Sequence, residues 1–105
     1  MNGALSSLSD LDRVIHEPAR LLLVALLSAV DTADFLFLLK ESRLTKGNLS
    51  VHLSRLEEAG YLTVKKSFRG KIPHTEYRLT ANGRKAFDKY RKQLASIMPG
   101  KKGKD

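Results

Sequence analysis

The chain contains no cysteine, which excludes disulfides and thiolate metal sites and permits an intracellular setting. Long hydrophobic runs are missing too. The longest, Leu21 to Leu27, continues after Ser28 only to Val30, far short of the roughly 20 residues that span a bilayer. The amino terminus MNGALSSLSDLD is polar and acidic, so no signal peptide is expected. No glycine-rich phosphate loop occurs. His16, His52 and His74 stand far apart, without metal-ligand spacing. Ser6, Ser7 and Ser9 form a polar lead segment, not a nucleophile motif. These absences point away from an enzyme, a metal or cofactor protein and a membrane protein, and toward a cytoplasmic one.

What is present is charge, unevenly placed. The 105 residues carry a formal net charge of +8. Residues 1–39 hold two basic and five acidic residues (2 − 5 = −3), and residues 40–105 hold the other 17 basic and 6 acidic ones (17 − 6 = +11). A basic half joined to an acidic half is expected where one surface meets a polyanion. A lysine-rich surface that merely aids solubility is the plainer reading of the same asymmetry.

The length fits one domain over residues 1–98, with about the first eight residues flexible and a disordered basic tail at 99–105. Ser9 and Asp12 fit a capping box that starts a short turn through Ile15. Glu17-Pro18 opens a helix to Val30 that is apolar almost all round, and such a helix needs cover on several sides. In so small a chain, a second subunit is the expected cover. Asp31-Thr32 can cap a second helix over Ala33 to Ser42, with Phe35, Leu36, Leu38 and Leu39 turned to the core.

Thr45 can cap a third helix over residues 45–59, ended by Gly60. Leu49, Leu53 and Leu56 form its inner stripe. The opposite face presents Gly47, Val51, Ser54 and Glu58, flanked by Asn48, Ser50 and Arg55. Tyr61 to Ser67 and Thr75 to Leu79 then alternate as two strands, with Leu62, Val64, Tyr77 and Leu79 inward. Between them, Phe68 to His74 reads as a long connection carrying glycine and proline. Thr80 caps a last helix to about Met98, with Phe87, Tyr90, Leu94 and Ile97 on one stripe. The expected class is mainly α with a β-hairpin, an α+β fold.

A helix followed at once by a cationic ribbon suits duplex DNA, whose major groove admits one helix and displays distinguishable base edges. Small residues at Gly47, Ser50 and Ser54 permit close approach. Asn48 can pair with adenine, Arg55 with guanine or phosphate, and Val51 can touch a thymine methyl. For Asn48 and Ser50, local capping near Thr45 is an equal reading. Lys65, Lys66, Arg69 and Lys71 cluster on the ribbon, where they contact phosphates or the minor groove and fix position, or simply protect a strand edge. Lys40, Arg43 and Lys46 can flank the same phosphates.

The segments TKGNLSVHLSRLEEAGYLTVKK (from Thr45) and TEYRLTANGRKAF (to Phe87) closely resemble winged helix-turn-helix transcriptional regulators of the MarR/ArsR-like kind. HEPARLLLVALL at 16–27 resembles that family's first long helix, so the likeness spans most of residues 16–90. It implies a winged helix-turn-helix with N- and C-terminal dimerisation helices, and a homodimer on a roughly two-fold symmetric DNA site. Groove-facing positions would be Lys46, Gly47, Asn48, Ser50, Val51, Ser54 and Arg55. Wing positions would be Lys65, Lys66, Arg69 and Lys71. The dimer would use Leu22, Leu26, Phe87, Tyr90, Leu94 and Ile97, although either stripe can instead be satisfied within one chain. The metal-sensing cysteines of ArsR-type relatives are absent here. A small-molecule effector stays open, because such pockets form between helices and leave no residue signature.

The expected function is therefore a sequence-specific DNA-binding transcriptional regulator, a repressor by family likeness. The alternatives are a winged-helix protein-interaction module and a non-specific nucleic-acid binder.

Overall fold

The computed structural model describes residues 9–98. The expected flexible first eight residues and basic tail 99–105 lie outside them. The element order is α1 (Pro18–Ser28), β1 (Ala33–Asp34), α2 (Phe35–Ser42), α3 (Lys46–Glu58), β2 (Leu62–Arg69), β3 (Ile72–Leu79) and α4 (Ala81–Ile97). The class is the α+β winged helix expected.

Ahead of α1, Asp12 caps the turn through Ile15. One carboxylate oxygen accepts from the backbone N–H of Val14 at 2.8 Å and of Ile15 at 3.2 Å. The other accepts from the Tyr61 hydroxyl. Asp12 is thus tied to the turn between α3 and β2. Leu11 and Ile15 then enter the core. Burial and the adjacent Asp12 carboxylate together push the Tyr61 phenol up to about 12.

Glu17 caps α1, its carboxylate accepting from the Arg20 N–H at 2.7 Å, with Pro18 at the first helical position. The helix stops at Ser28, short of Val30. There the Arg84 guanidinium donates to the carbonyls of Ser28 and Val30, each at 3.3 Å. Leu23, Val24 and Leu27 are fully buried. Their cover comes from α2, α3, β3 and α4 of the same chain, not from another subunit. Only the outer side of α1 is left open, where Leu22 is 39% exposed.

The second helix starts later than expected because residues 33 and 34 belong to the sheet. Ala33 pairs with Tyr77 and Asp34 with Glu76, so the backbone there is extended. Asp34, not Asp31 or Thr32, is the cap; its side chain accepts from the Phe37 N–H at 2.7 Å. This turns Leu38 into the core, but it leaves Leu36 outside at 70% exposure. Arg43 takes a left-handed conformation (φ 61°), which ends α2 and swings the chain into α3.

The sheet has the order β1-β3-β2 and is antiparallel throughout. Leu62 and Leu79 face each other over the core, and Val64 faces Tyr77. The long connection expected at 68–74 is instead paired strand: Phe68 lies opposite Pro73 and Arg69 opposite Ile72. Only Gly70 and Lys71 form the loop, with Gly70 at φ +65°. A two-residue loop with glycine in its first place matches a II′ turn, which agrees with strand twist. The pair closing such a loop is hydrogen-bonded, so the next pair is not. Pro73 therefore sits where its missing N–H would point away from β2.

Thr80 caps α4 as expected, accepting from the Gly83 N–H at 2.9 Å. Gly83 is buried against the turn before β2, where a Cβ would land on the Tyr61 carbonyl oxygen. Close packing of helix on turn requires glycine there.

Candidate nucleic-acid interface

Helix α3 begins at Lys46 because Thr45 caps it, its hydroxyl accepting from the Asn48 N–H at 3.1 Å. Leu49, Leu53 and Leu56 are buried at 0, 3 and 0% exposure, which sets the helix rotation. With the stripe inward, Lys46, Gly47, Asn48, Ser50, Val51, Ser54 and Arg55 are all exposed. Ser50, Val51, Ser54, Arg55 and Glu58 line one shallow depression along the outer face.

Among the described residues, nothing occupies the side chains of this face. Other serines of the fold bond locally: Ser28 and Ser96 donate to the Ala25 and Gln93 carbonyls, each at 2.7 Å. Among the described residues, the Ser50 and Ser54 hydroxyls and the Asn48 carboxamide make no such bond. Capping uses the Asn48 backbone and leaves its side chain available. Gly47 lies in the first turn, and a Cβ added there would meet nothing within 4 Å. Helix propensity favours alanine over glycine by up to about 1 kcal/mol, so packing among the described residues does not explain the glycine.

The pose of α3 is also fixed from its side. Arg20 on α1 donates to His52 Nδ1 at 3.1 Å and, through Nε, to the Val14 carbonyl at 2.6 Å. A guanidinium has only donors, so Nδ1 is the acceptor in this contact; it also lies 3.9 Å from the Glu17 carboxylate. His52 thus ties α3 to α1 and to the segment before it. No sequence spacing pointed to this role, since the partner of His52 lies 32 positions away. Burial, and behind it the Glu57 carboxylate, raise the Tyr77 phenol under the sheet.

The wing is the outer part of the β2–β3 ribbon. Lys65, Lys66, Arg69 and Lys71 are exposed on it. Arg69 lies 3.9 Å from Glu76, which also faces His74 at 3.3 Å. Among the described residues, Lys65, Lys66, Lys71 and Arg55 form no ion pair. Lys40, Arg43 and Lys46 are exposed as well.

Two wing residues escaped the sequence reading. Phe68 and Ile72 are 71% and 70% exposed. Each stands beside a cation in the run Phe68-Arg69-Gly70-Lys71-Ile72, and the pattern was readable as a tight turn. Taking 68–74 for a loop left both without a face.

Of the six positions assigned to a dimer surface, Leu22 is exposed, and Leu26, Phe87, Leu94 and Ile97 are half-buried. Tyr90 is 3% exposed, and its hydroxyl meets His16 Nδ1 at 2.8 Å. It is a core residue of its own chain and offers almost no surface. Among the described residues no helix is long and apolar enough to cross a membrane.

Residues 19–98 match the winged helix DNA-binding domain family. An uncharacterized protein of Methanocaldococcus jannaschii is 35% identical over 79 residues, covering 74% of this chain and 85% of that protein. Among solved structures, a transcriptional regulator homologue from Pyrococcus horikoshii OT3 superposes with a TM-score of 0.83 at 25% identity, covering 92% of this chain and 95% of its own. A MarR family transcriptional regulator from Silicibacter pomeroyi shares the fold with a TM-score of 0.59 at 20% identity, over 94% of this chain and 68% of its own. The matched residues include the capped α3, the wing and α4, and the chain belongs to the winged helix DNA-binding domain family.

Proposed function

We propose that the protein is a sequence-specific regulator of transcription, a cytoplasmic repressor that binds duplex DNA as a homodimer. The observation that carries this reading is the outer face of α3. Among the described residues its polar side chains have no partner, and its first turn bears a glycine with open space around it. Such a surface is matched to base edges in a major groove. Asn48 and Arg55 supply the bidentate groups, Val51 an apolar contact, and Ser50 and Ser54 short polar ones. Lys65, Lys66, Arg69 and Lys71 hold the adjacent backbone, which fixes register without reading sequence. A protein-interaction module would have no use for four cations beside Arg55.

Two copies double the contacts and match a two-fold site. The support for a dimer is the apolar surface left along α1 and α4, namely Leu22, Leu26, Phe87, Leu94 and Ile97. The test is selection of duplexes from a random pool at stated salt, with sedimentation of the free protein alongside. An enriched, roughly symmetric sequence and a two-chain species are expected. Equal retention of all sequences removes the specific reading, and a monomer at high micromolar concentration removes the dimer.

A further inference from the structure

The tip of the wing combines two properties. It is strongly basic, with Lys65, Lys66, Arg69 and Lys71, and it carries two large apolar side chains that the chain leaves in water. Residues opposed across an antiparallel pair share a face. Phe68 with Pro73 therefore lies on one face of the ribbon, and Arg69 with Ile72 on the other. The face of β2 that begins with Leu62 and Val64 passes the edge of the core and continues through Lys66 to Phe68. Neither Phe68 nor Ile72 belongs to the core cluster.

We infer that Phe68 and Ile72 form an apolar wedge that the wing drives into the minor groove of the bound duplex, opening it and bending the DNA. This rests on the duplex-DNA reading above. The two-sided placement favours a groove over a protein patch. A docking patch needs apolar groups on one face, whereas a blade between two sugar walls needs them on both. The cations flanking the tip match the phosphates that rim a groove. The minor groove is about 6 Å wide, and a ribbon with side chains on both faces is about 10 Å thick. Insertion must therefore widen the groove. Apolar wedges of this kind unstack a base step and kink the duplex by roughly 20–90°. The lysines grip the backbone, and the wedge sets its shape.

The experiment is end-to-end energy transfer across a labelled duplex carrying the selected site, measured at saturation. Wild type is expected to bring the ends together. The Phe68→Ala/Ile72→Ala variant should lose most of that change and about tenfold in affinity, while preferring the same sequence. Lys66→Ala should weaken binding but give the full bend once saturated. Thermal unfolding of the tip variant is expected to match wild type, since neither side chain is in the core. A straight wild-type complex, or a bend that the double variant retains, overturns the wedge and leaves the DNA reading standing. Absence of any wild-type complex overturns both.

Discussion

The outer face of α3 and the wing both face solvent, yet they offer different chemistry. Along α3, one arginine and one lysine sit among an amide, two hydroxyls, a valine and a glycine. Amide, hydroxyl, guanidinium and ammonium each have a distinct donor or acceptor pattern. The wing concentrates four cations within seven positions, Lys65 to Lys71, and adds two apolar side chains. Variety of short polar groups suits recognition of base edges, while density of charge suits a uniform row of phosphates. Their supports differ as well. Helix α3 is clamped by its leucine stripe, by the Thr45 cap and by the Arg20–His52 bond. Beyond Val64 the wing is held mainly by its own ladder. Rigid mounting suits the region that discriminates, and a projecting ribbon suits the one that grips.

The largest effect should come from stripping the wing. Replacing Lys65, Lys66, Arg69 and Lys71 with alanine should lower the salt slope of binding by about 3.6, at 0.9 per phosphate contact. Between about 50 and 200 mM salt, that removes roughly a hundredfold of salt sensitivity, measured by titration at several salt concentrations. An unchanged slope would put the phosphate contacts elsewhere. A subtler break concerns Gly47. Gly47→Ala should raise thermal stability by up to about 1 kcal/mol, because nothing crowds the new methyl. It should also weaken binding to the preferred duplex by the about 1–3 kcal/mol typical of overpacking. A stability gain without loss of binding would show that α3 does not approach DNA at this turn.

The smallest effect tests the mounting. Tyr61 has its pKa raised to about 12 in the folded chain against the usual 10.0. A raised value means the folded state holds the proton more tightly than the unfolded one. Its contribution is therefore complete below about pH 10 and is lost as pH climbs toward about 12. The melting temperature should fall across that window, and Tyr61→Phe should flatten the fall by Tyr61's share.

Much of this arrangement was legible in the sequence. The spacing of Leu49, Leu53 and Leu56 fixes which side of α3 is outward, and Thr45 and Thr80 sit where caps must. Alternation through Leu62 and Val64 gives the inward face of the first strand. What escaped lacks a local signal. Strand β1 is two residues long and exists only through its pairing with Tyr77 and Glu76. Pro73 reads as a strand breaker, yet it lies at a position where no ladder bond is required of it. The Tyr90 hydroxyl finds its partner in His16, 74 positions away. The cover of α1 is likewise supplied by elements from four parts of the chain. Helical periodicity shows that a side is apolar, and only the assembled fold shows what meets it.

Division of labour between helix and wing is tested most directly by one competition measurement at fixed salt. The affinity of a selected duplex is compared with that of random duplex for wild type, for Asn48→Ala/Arg55→Ala and for the four-alanine wing. The account predicts that the helix variant loses most of its preference, at about 1–3 kcal/mol per bidentate contact, while keeping its affinity for random DNA. The wing variant should weaken on both duplexes alike and keep the ratio. A wing variant that loses the ratio while the helix variant retains it would contradict the account.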